Sequence, residues 1–192
     1  MNDMKDQIKK IFEESLAVKQ TTLNQNVEVI IHAVEIIIES LKGHGKILFF
    51  GNGGSAADSQ HVAAEFIGRF QKERRALAAM ALTTDSSIIT SLSNDYSYDI
   101  IFSRQIEALG RKGDVAFGFS TSGNSKNVIA GIEKARELGL KTIVLTGCDG
   151  GQLKGMTDVN IIVPSNSTAR IQESHMCIYH TICELVENQI SR

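Results

Sequence analysis

Apolar positions follow two rhythms along this chain. At the N-terminal end they recur with helical spacing. Residues 4–19 read as an amphipathic helix, and residues 23–42, "LNQNVEVIIHAVEIIIESLK", as a longer and more apolar one. Beyond residue 45 the rhythm changes to short continuous apolar runs: "KILFFG", "LAAMALT", "VAFGFS", "KTIVLTG" and "VNIIVP". These runs do not alternate with polar residues, which is how strands buried on both faces read. Helical stretches separate them: "SAADSQHVAAEFIGRF", "YDIIFSRQIEALG" and "SKNVIAGIEKARELG". A last helix, "ARIQESHMCIYHTICELVENQI", closes the sequence. The alternation predicts an α/β fold, a three-layer sandwich around a five-stranded parallel, doubly wound sheet with extra N-terminal and C-terminal helices. A single domain over 1–192 is expected, with a helical extension at 1–44, the sheet core at 45–165 and the C-terminal helix at 168–191.

Composition narrows the class. A chain of 192 residues suits one domain and buries enough surface to fold without staples. A formal net charge of -2 gives no electrostatic case for nucleic acid or an anionic membrane. The basic "KERR" at 72–75 reads as a solvated loop. No apolar run is long enough to span a bilayer, and the charged N-terminus has no signal-peptide core. Cys148, Cys177 and Cys183 have no CxxC spacing, so reduced thiols in a cytoplasm are expected. The one proline, Pro164, argues against a linker between two domains.

The chemistry concentrates in two turns. "GNGGSAAD", residues 51–58, follows the first apolar run, and "STSGNS", residues 120–125, follows the third. Each stands where a strand's C-terminal end meets a helix N-terminus, the place where open α/β sheets bind ligands. Helix N-termini offer unpaired N–H groups to anions, and the hydroxyls of Ser120, Thr121, Ser122 and Ser125 add donors without any lysine. Either turn taken alone reads equally well as a set of turn formers and caps. Neither matches a nucleotide pattern: G-x-x-x-x-G-K-[ST] is absent, and so is G-x-G-x-x-G with a suitably placed acid. A sugar phosphate suits the hydroxyl-rich turn better.

A second cluster is "HVAAE", which puts His61 and Glu65 on one helix face, together with Gln172, Glu173, His175 and His180 of the last helix. Two histidines, a carboxylate and an amide suit a divalent metal such as zinc, or an acid and a base without metal. By spacing alone a surface His–Glu pair and a core histidine explain them as well.

Taken together, "GNGGSAAD", "QHVAAEFIGRF", "SNDY", "STSGNS" and "ARIQESH" closely resemble the phosphoheptose isomerases of the sugar isomerase (SIS) domain family, from about residue 40 to the C-terminus. The resemblance implies an aldose–ketose isomerase that converts D-sedoheptulose 7-phosphate to D-glycero-D-manno-heptose 7-phosphate through an enediol, the first step toward the heptose of lipopolysaccharide or capsule. It implies Glu65 and His180 as the acid–base pair, and His61, Glu65, Gln172 and His180 as ligands of one Zn2+ per subunit. Substrate contacts carried over are Asn52, Gly53, Gly54, Ser55, Glu65, Asn94, Asp95, Ser120, Thr121, Ser122, Ser125 and Gln172. A cytoplasmic homotetramer is expected, with no nucleic acid and no membrane. Gln172 and His180 are eight residues apart, about 12 Å along a helix and ~80° around it, so sites shared between chains are expected, with Glu65 and His180 from different subunits. The alternative is a non-catalytic SIS module that binds a replication-initiator protein or senses a sugar phosphate.

Overall fold

In a computed structural model describing residues 2–190, five parallel strands form one sheet in the order β2-β1-β3-β4-β5. The strands are β1 Ile47–Phe50, β2 Ala79–Ala81, β3 Val115–Ser120, β4 Lys141–Gly147 and β5 Val159–Val163. The helices are α1 Asn2–Lys42, α2 Gly54–Ile67, α3 Ser86–Asp95, α4 Ile101–Leu109, α5 Lys126–Glu137 and α6 Thr168–Ile190. A 3-10 turn, Tyr98–Ile100, leads into α4.

Successive residues of each strand point to opposite faces, and both faces are covered. Ile47 and Phe49 of β1, Phe117 of β3 and Leu145 of β4 pack with α1, α2 and α6. Leu48, Phe50, Ala116 and Val144 pack with α4 and α5. Continuous apolar runs follow from this arrangement, because neither face meets water. Burying a large apolar side chain contributes roughly 1.5–3 kcal/mol, so Phe49, Phe50, Phe117 and Phe119, each no more than 1 % exposed, anchor the two layers.

Two elements differ from the sequence pattern. The helices expected at 4–19 and 23–42 are one continuous helix of 41 residues. Thr21 and Thr22 resemble caps of a second helix, but their hydroxyls donate to the Ala17 and Val18 carbonyls one turn back, and Asn26 donates to the Thr22 carbonyl. Side chains bonded in this way leave the backbone ladder unbroken. Helix α3 was not anticipated. It buries no residue and is rich in β-branched side chains, so its apolar rhythm is weak; its start is set by Asp85, which accepts from Ile88 N at 2.9 Å.

The strand order has one consequence for function. From β1 the chain moves outward through α2 to β2, then crosses back to β3 on the other side of β1. The point where the order reverses therefore lies between β1 and β3, at their C-terminal ends. Helices α2 and α5 leave that point toward opposite faces of the sheet.

Candidate functional site

Both glycine turns stand at this switch point. Gly53 is the N-cap of α2 with φ +55, in the left-handed region that suits glycine. Ser125 is the N-cap of α5, but its hydroxyl makes no capping bond. It lies 3.0 Å from the Ser120 hydroxyl instead. Neither α2 nor α5 has a side-chain cap, whereas α3 is capped by Asp85 and the 3-10 turn by Ser97. First-turn N–H groups without a side-chain acceptor are a ready anion site. Gly123 (φ +67) packs against the next loop so closely that an added Cβ would lie 2.1 Å from the Gly150 carbonyl oxygen. Asn124 ties the same loop down by accepting from Gln152 N at 3.0 Å.

The turns are joined across the switch point. Asn52 and Asn127 exchange two amide hydrogen bonds of 2.8 Å, and the Tyr98 hydroxyl donates to Asn52 Oδ1 at 2.9 Å. Asn52 thus links the first turn to the start of α5, with one amide hydrogen left over. Ser122 Oγ accepts from Asn124 N at 3.2 Å and shapes its own turn. Ser55 is buried, and the Thr121 carbonyl accepts from the Cys148 thiol. Asn94 and Asp95 lie exposed at the end of α3, where Asn94 donates to Asp95; no hydrogen bond joins either to the turns among the described residues.

Helices α2 and α6 bring the histidines together. The ligating atoms of His61, Glu65 and His180 all lie within 4.8 Å of one another in a single chain. The ring centroids of His61 and His180 are 5.0 Å apart. Glu65 and His180 therefore need no second subunit to meet, which removes the geometric reason for expecting them from different chains. Gln172, about two turns before His180 on α6, borders the first turn. Its amide nitrogen lies 2.5 Å from where a Cβ on Gly54 would stand. His175, on the face of α6 turned to the sheet, is fully buried and donates Nε2–H to the Thr146 carbonyl at 3.1 Å. Glu173 turns to α1, accepting from Ser15 and Arg170.

Hydrogen bonds decide how His61 presents itself. The Tyr179 hydroxyl donates to Asp58 Oδ1 at 3.4 Å and lies 3.1 Å from His61 Nδ1. His61 Nε2 lies 3.1 Å from Glu65 Oε1, and the bond between them depends on the ring tautomer. The tautomer with its proton on Nδ1, shared with the Tyr179 oxygen, leaves Nε2 free to ligate a cation beside Glu65. Burial pushes Asp58 above its ordinary value despite Tyr179 and His61, and pushes the Tyr179 hydroxyl up as well. Partial burial, and then the neighbouring His61, hold His180 below its ordinary value against the pull of Glu65, so its imidazole is neutral near pH 7.

A tetrahedral zinc ion with bonds of about 2.0–2.2 Å needs its ligand atoms roughly 3.4 Å apart. Two imidazole nitrogens and a carboxylate oxygen within 4.8 Å, one pair already at 3.1 Å, fit that requirement. Apolar grooves elsewhere, such as one of about 520 Å3 lined by Ile88, Leu92 and Leu109 between α3 and α4, hold none of these groups.

Tyr179, Asp58, Asn127 and Tyr98 escaped the sequence reading. Each had a signal in its position: Tyr179 precedes His180, Asp58 stands three residues before His61, and Asn127 and Tyr98 follow "STSGNS" and "SNDY".

The profile of the SIS domain family matches residues 11–147. A phosphoheptose isomerase of Aquifex aeolicus is 52% identical over 187 residues, 97% of this chain and 98% of that protein. The solved structure of a phosphoheptose isomerase from Neisseria gonorrhoeae superposes with a TM-score of 0.92 at 45% identity, covering 96% of this chain and 99% of that one. Another, from Francisella tularensis, has a TM-score of 0.92 at 37% identity and covers 95% of this chain and 97% of that one.

Proposed function

The chain belongs to the SIS domain family, among its phosphoheptose isomerases, and from that premise we propose how this site interconverts D-sedoheptulose 7-phosphate and D-glycero-D-manno-heptose 7-phosphate. The observation that carries the proposal is the meeting of Glu65, His61 and His180 in one cluster, in a fold that also sets two helix N-termini without side-chain caps at the sheet's switch point. The non-catalytic alternative is not favoured: relatives near 50% identity over almost the whole chain bear the isomerase name.

The phosphate is held by Ser120, Thr121, Ser122 and Ser125 together with the first N–H groups of α5. The sugar lies along Asn52, Gly53, Gly54 and Ser55, with Asn94, Asp95 and Gln172 at its edges. Glu65 takes the proton from the carbon beside the carbonyl. An enediol forms, and the same carboxyl returns the proton to the neighbouring carbon. His180, neutral near pH 7, moves protons between the two oxygens. His61, Glu65 and His180, with Gln172 as a fourth ligand, would hold one zinc per subunit. When bound, zinc supplies a Lewis acid that polarises the carbonyl. A carboxylate held by a metal is a weaker base, so Glu65 works best with its metal contact loosened.

An oligomer follows from α1, where Ile8, Phe12, Leu16, Leu23, Val27 and Ile31 are exposed, Phe12 by 67%. An apolar stripe of this length on a helix is a surface for further copies of the chain, and a homotetramer is the proposed assembly. Three free thiols fit a reducing, cytoplasmic setting. Among the described residues no helix is long and apolar enough to cross a membrane.

The test of function is NMR of sedoheptulose 7-phosphate in deuterated water, with and without zinc. Turnover with deuterium entering the sugar is expected. Neither product nor exchange would end the isomerase reading.

A further inference from the structure

The segment "KERR" does not lie wholly in solvent. Lys72, Glu73 and Arg75 are exposed, but the Arg74 side chain is only 4% exposed and meets Glu187 of α6, 2% exposed. Arg74 Nε donates to Glu187 Oε1 at 3.1 Å. Its other nitrogens cover the end of α2: Nη2 donates to the Glu65 carbonyl at 2.8 Å, and Nη1 to the carbonyls of Phe66, Gly68 and Arg75 at 2.9, 3.1 and 3.0 Å. These include carbonyls that a helix end leaves without partners, and a cation there also suits the helix dipole.

Glu187 is equally saturated. Its carboxylate accepts from the backbone N–H groups of Phe70, Gln71 and Lys72 at 2.9, 2.7 and 2.8 Å. Burial alone would raise its pKa, but the N–H groups of Gln71, Phe70 and Lys72, and then Arg74, together hold it below the ordinary value. Glu187 stands seven residues beyond His180, about 10.5 Å along α6 and within about 20° of the same face. Phe70, whose N–H it binds, lays its ring 5.5 Å from that of His180.

We propose that the Arg74–Glu187 pair is a positioning device, which fixes the α2 end carrying Glu65 against α6 and so sets the Glu65–His180 separation. Stability alone is a poor reason for such a pair, since well-packed apolar residues often replace a buried ion pair without loss. An apolar pair could not bind the Glu65 carbonyl on one side and hold Phe70 against His180 on the other. Neither Arg74 nor Glu187 is placed to touch the sugar; they act through Glu65 and His180. The inference rests on the reading of those two groups as the working pair and, for its metal arm, on zinc binding.

The experiment compares the full-length protein with Glu187→Gln and Arg74→Lys. Ile132→Ala, in the core on the other face of the sheet, is the control for lost stability alone. Three quantities are measured: thermal midpoint, zinc affinity by chelator competition, and kcat and KM for sedoheptulose 7-phosphate. For whichever pair variant remains folded, zinc affinity is expected to fall ~10–100-fold, as it does when outer groups that orient metal ligands are lost. Its kcat should fall about tenfold or more, with KM nearly unchanged. The control should lose thermal midpoint without either change. Folded pair variants with wild-type zinc affinity and kcat would overturn the proposal, as would a control that loses both equally. His61→Gln tests the metal reading separately. If wild type and H61Q bind zinc equally poorly, the metal is dismissed and kcat alone decides on the pair.

Discussion

At the scale of single residues, the site combines donors for an anion with a base beside two imidazoles. Glu65→Gln keeps the size of the side chain but cannot accept a proton. Turnover is expected to fall by ~10²–10⁴ with the fold intact, the usual worth of a positioned acid or base. Near-normal turnover in a folded variant would remove Glu65 from that role. Ser125 is the better probe of the second turn than Ser122, whose oxygen is engaged by Asn124 N. The Ser125 hydroxyl does not cap α5; its partner is the Ser120 hydroxyl, 3.0 Å away, with which it can exchange roles as donor and acceptor. Ser125→Ala should weaken binding of the phosphorylated sugar by ~1.5–3 kcal/mol, the range for a hydrogen bond to a charged group. The unphosphorylated sugar should bind as before, and calorimetry with both ligands separates the cases. Equal losses for the two would mean that Ser125 does not read phosphate.

Among the elements, α6 serves two surfaces at once. One face carries His180 and Tyr179 to α2, and another lays His175 on β4. His175 is fully buried, its Nδ1 has no partner, and burial lowers its pKa from 6.5 to about 4 despite the bond to the Thr146 carbonyl. The unfolded chain therefore takes up this proton first as pH falls. The neutral histidine's contribution is complete above pH 6.5 and is lost progressively down to about pH 4. At ~1.36 kcal/mol per unit of pKa, roughly 3 kcal/mol of stability disappears across that window. His175→Leu should flatten the dependence there, measured as urea midpoints at several pH values. Parallel curves for wild type and variant would show that the loss arises elsewhere. The sequence placed α6 well but grouped His175 with the metal candidates. The helical spacing of its histidines does not say which face of α6 meets the sheet, and only packing against β4 does.

For the whole molecule, a single chain closes the Glu65–His180 pair, while α1 leaves its apolar stripe uncovered. Mixing Glu65→Gln with His180→Ala subunits should therefore restore no activity even when exchange is complete, since every chain lacks one of its own two groups. Recovered activity would mean that the working pair spans two chains. Phe12→Glu puts a charge in the middle of the α1 stripe and should shift the assembly toward smaller species by light scattering. An unchanged mass would place the oligomer contacts elsewhere.

The strands, their parallel order of burial and the two glycine turns were legible because each is a local property: continuous apolar runs for strands covered on both sides, and glycine with small polar residues where a strand gives way to a helix. "HVAAE" showed His61 and Glu65 on one face for the same reason, since four residues make about one turn. Two things depended on contacts between distant residues, and local periodicity carries no record of those. Arg74 looked like one charge in a solvated run until Glu187, 113 residues away, was found against it. The partnership of Glu65 with His180 in one chain was decided by the packing of α6 against α2. The sequence determined which chemical groups the site would contain; the tertiary structure decided which of them meet, because distance and burial arise only when the elements pack.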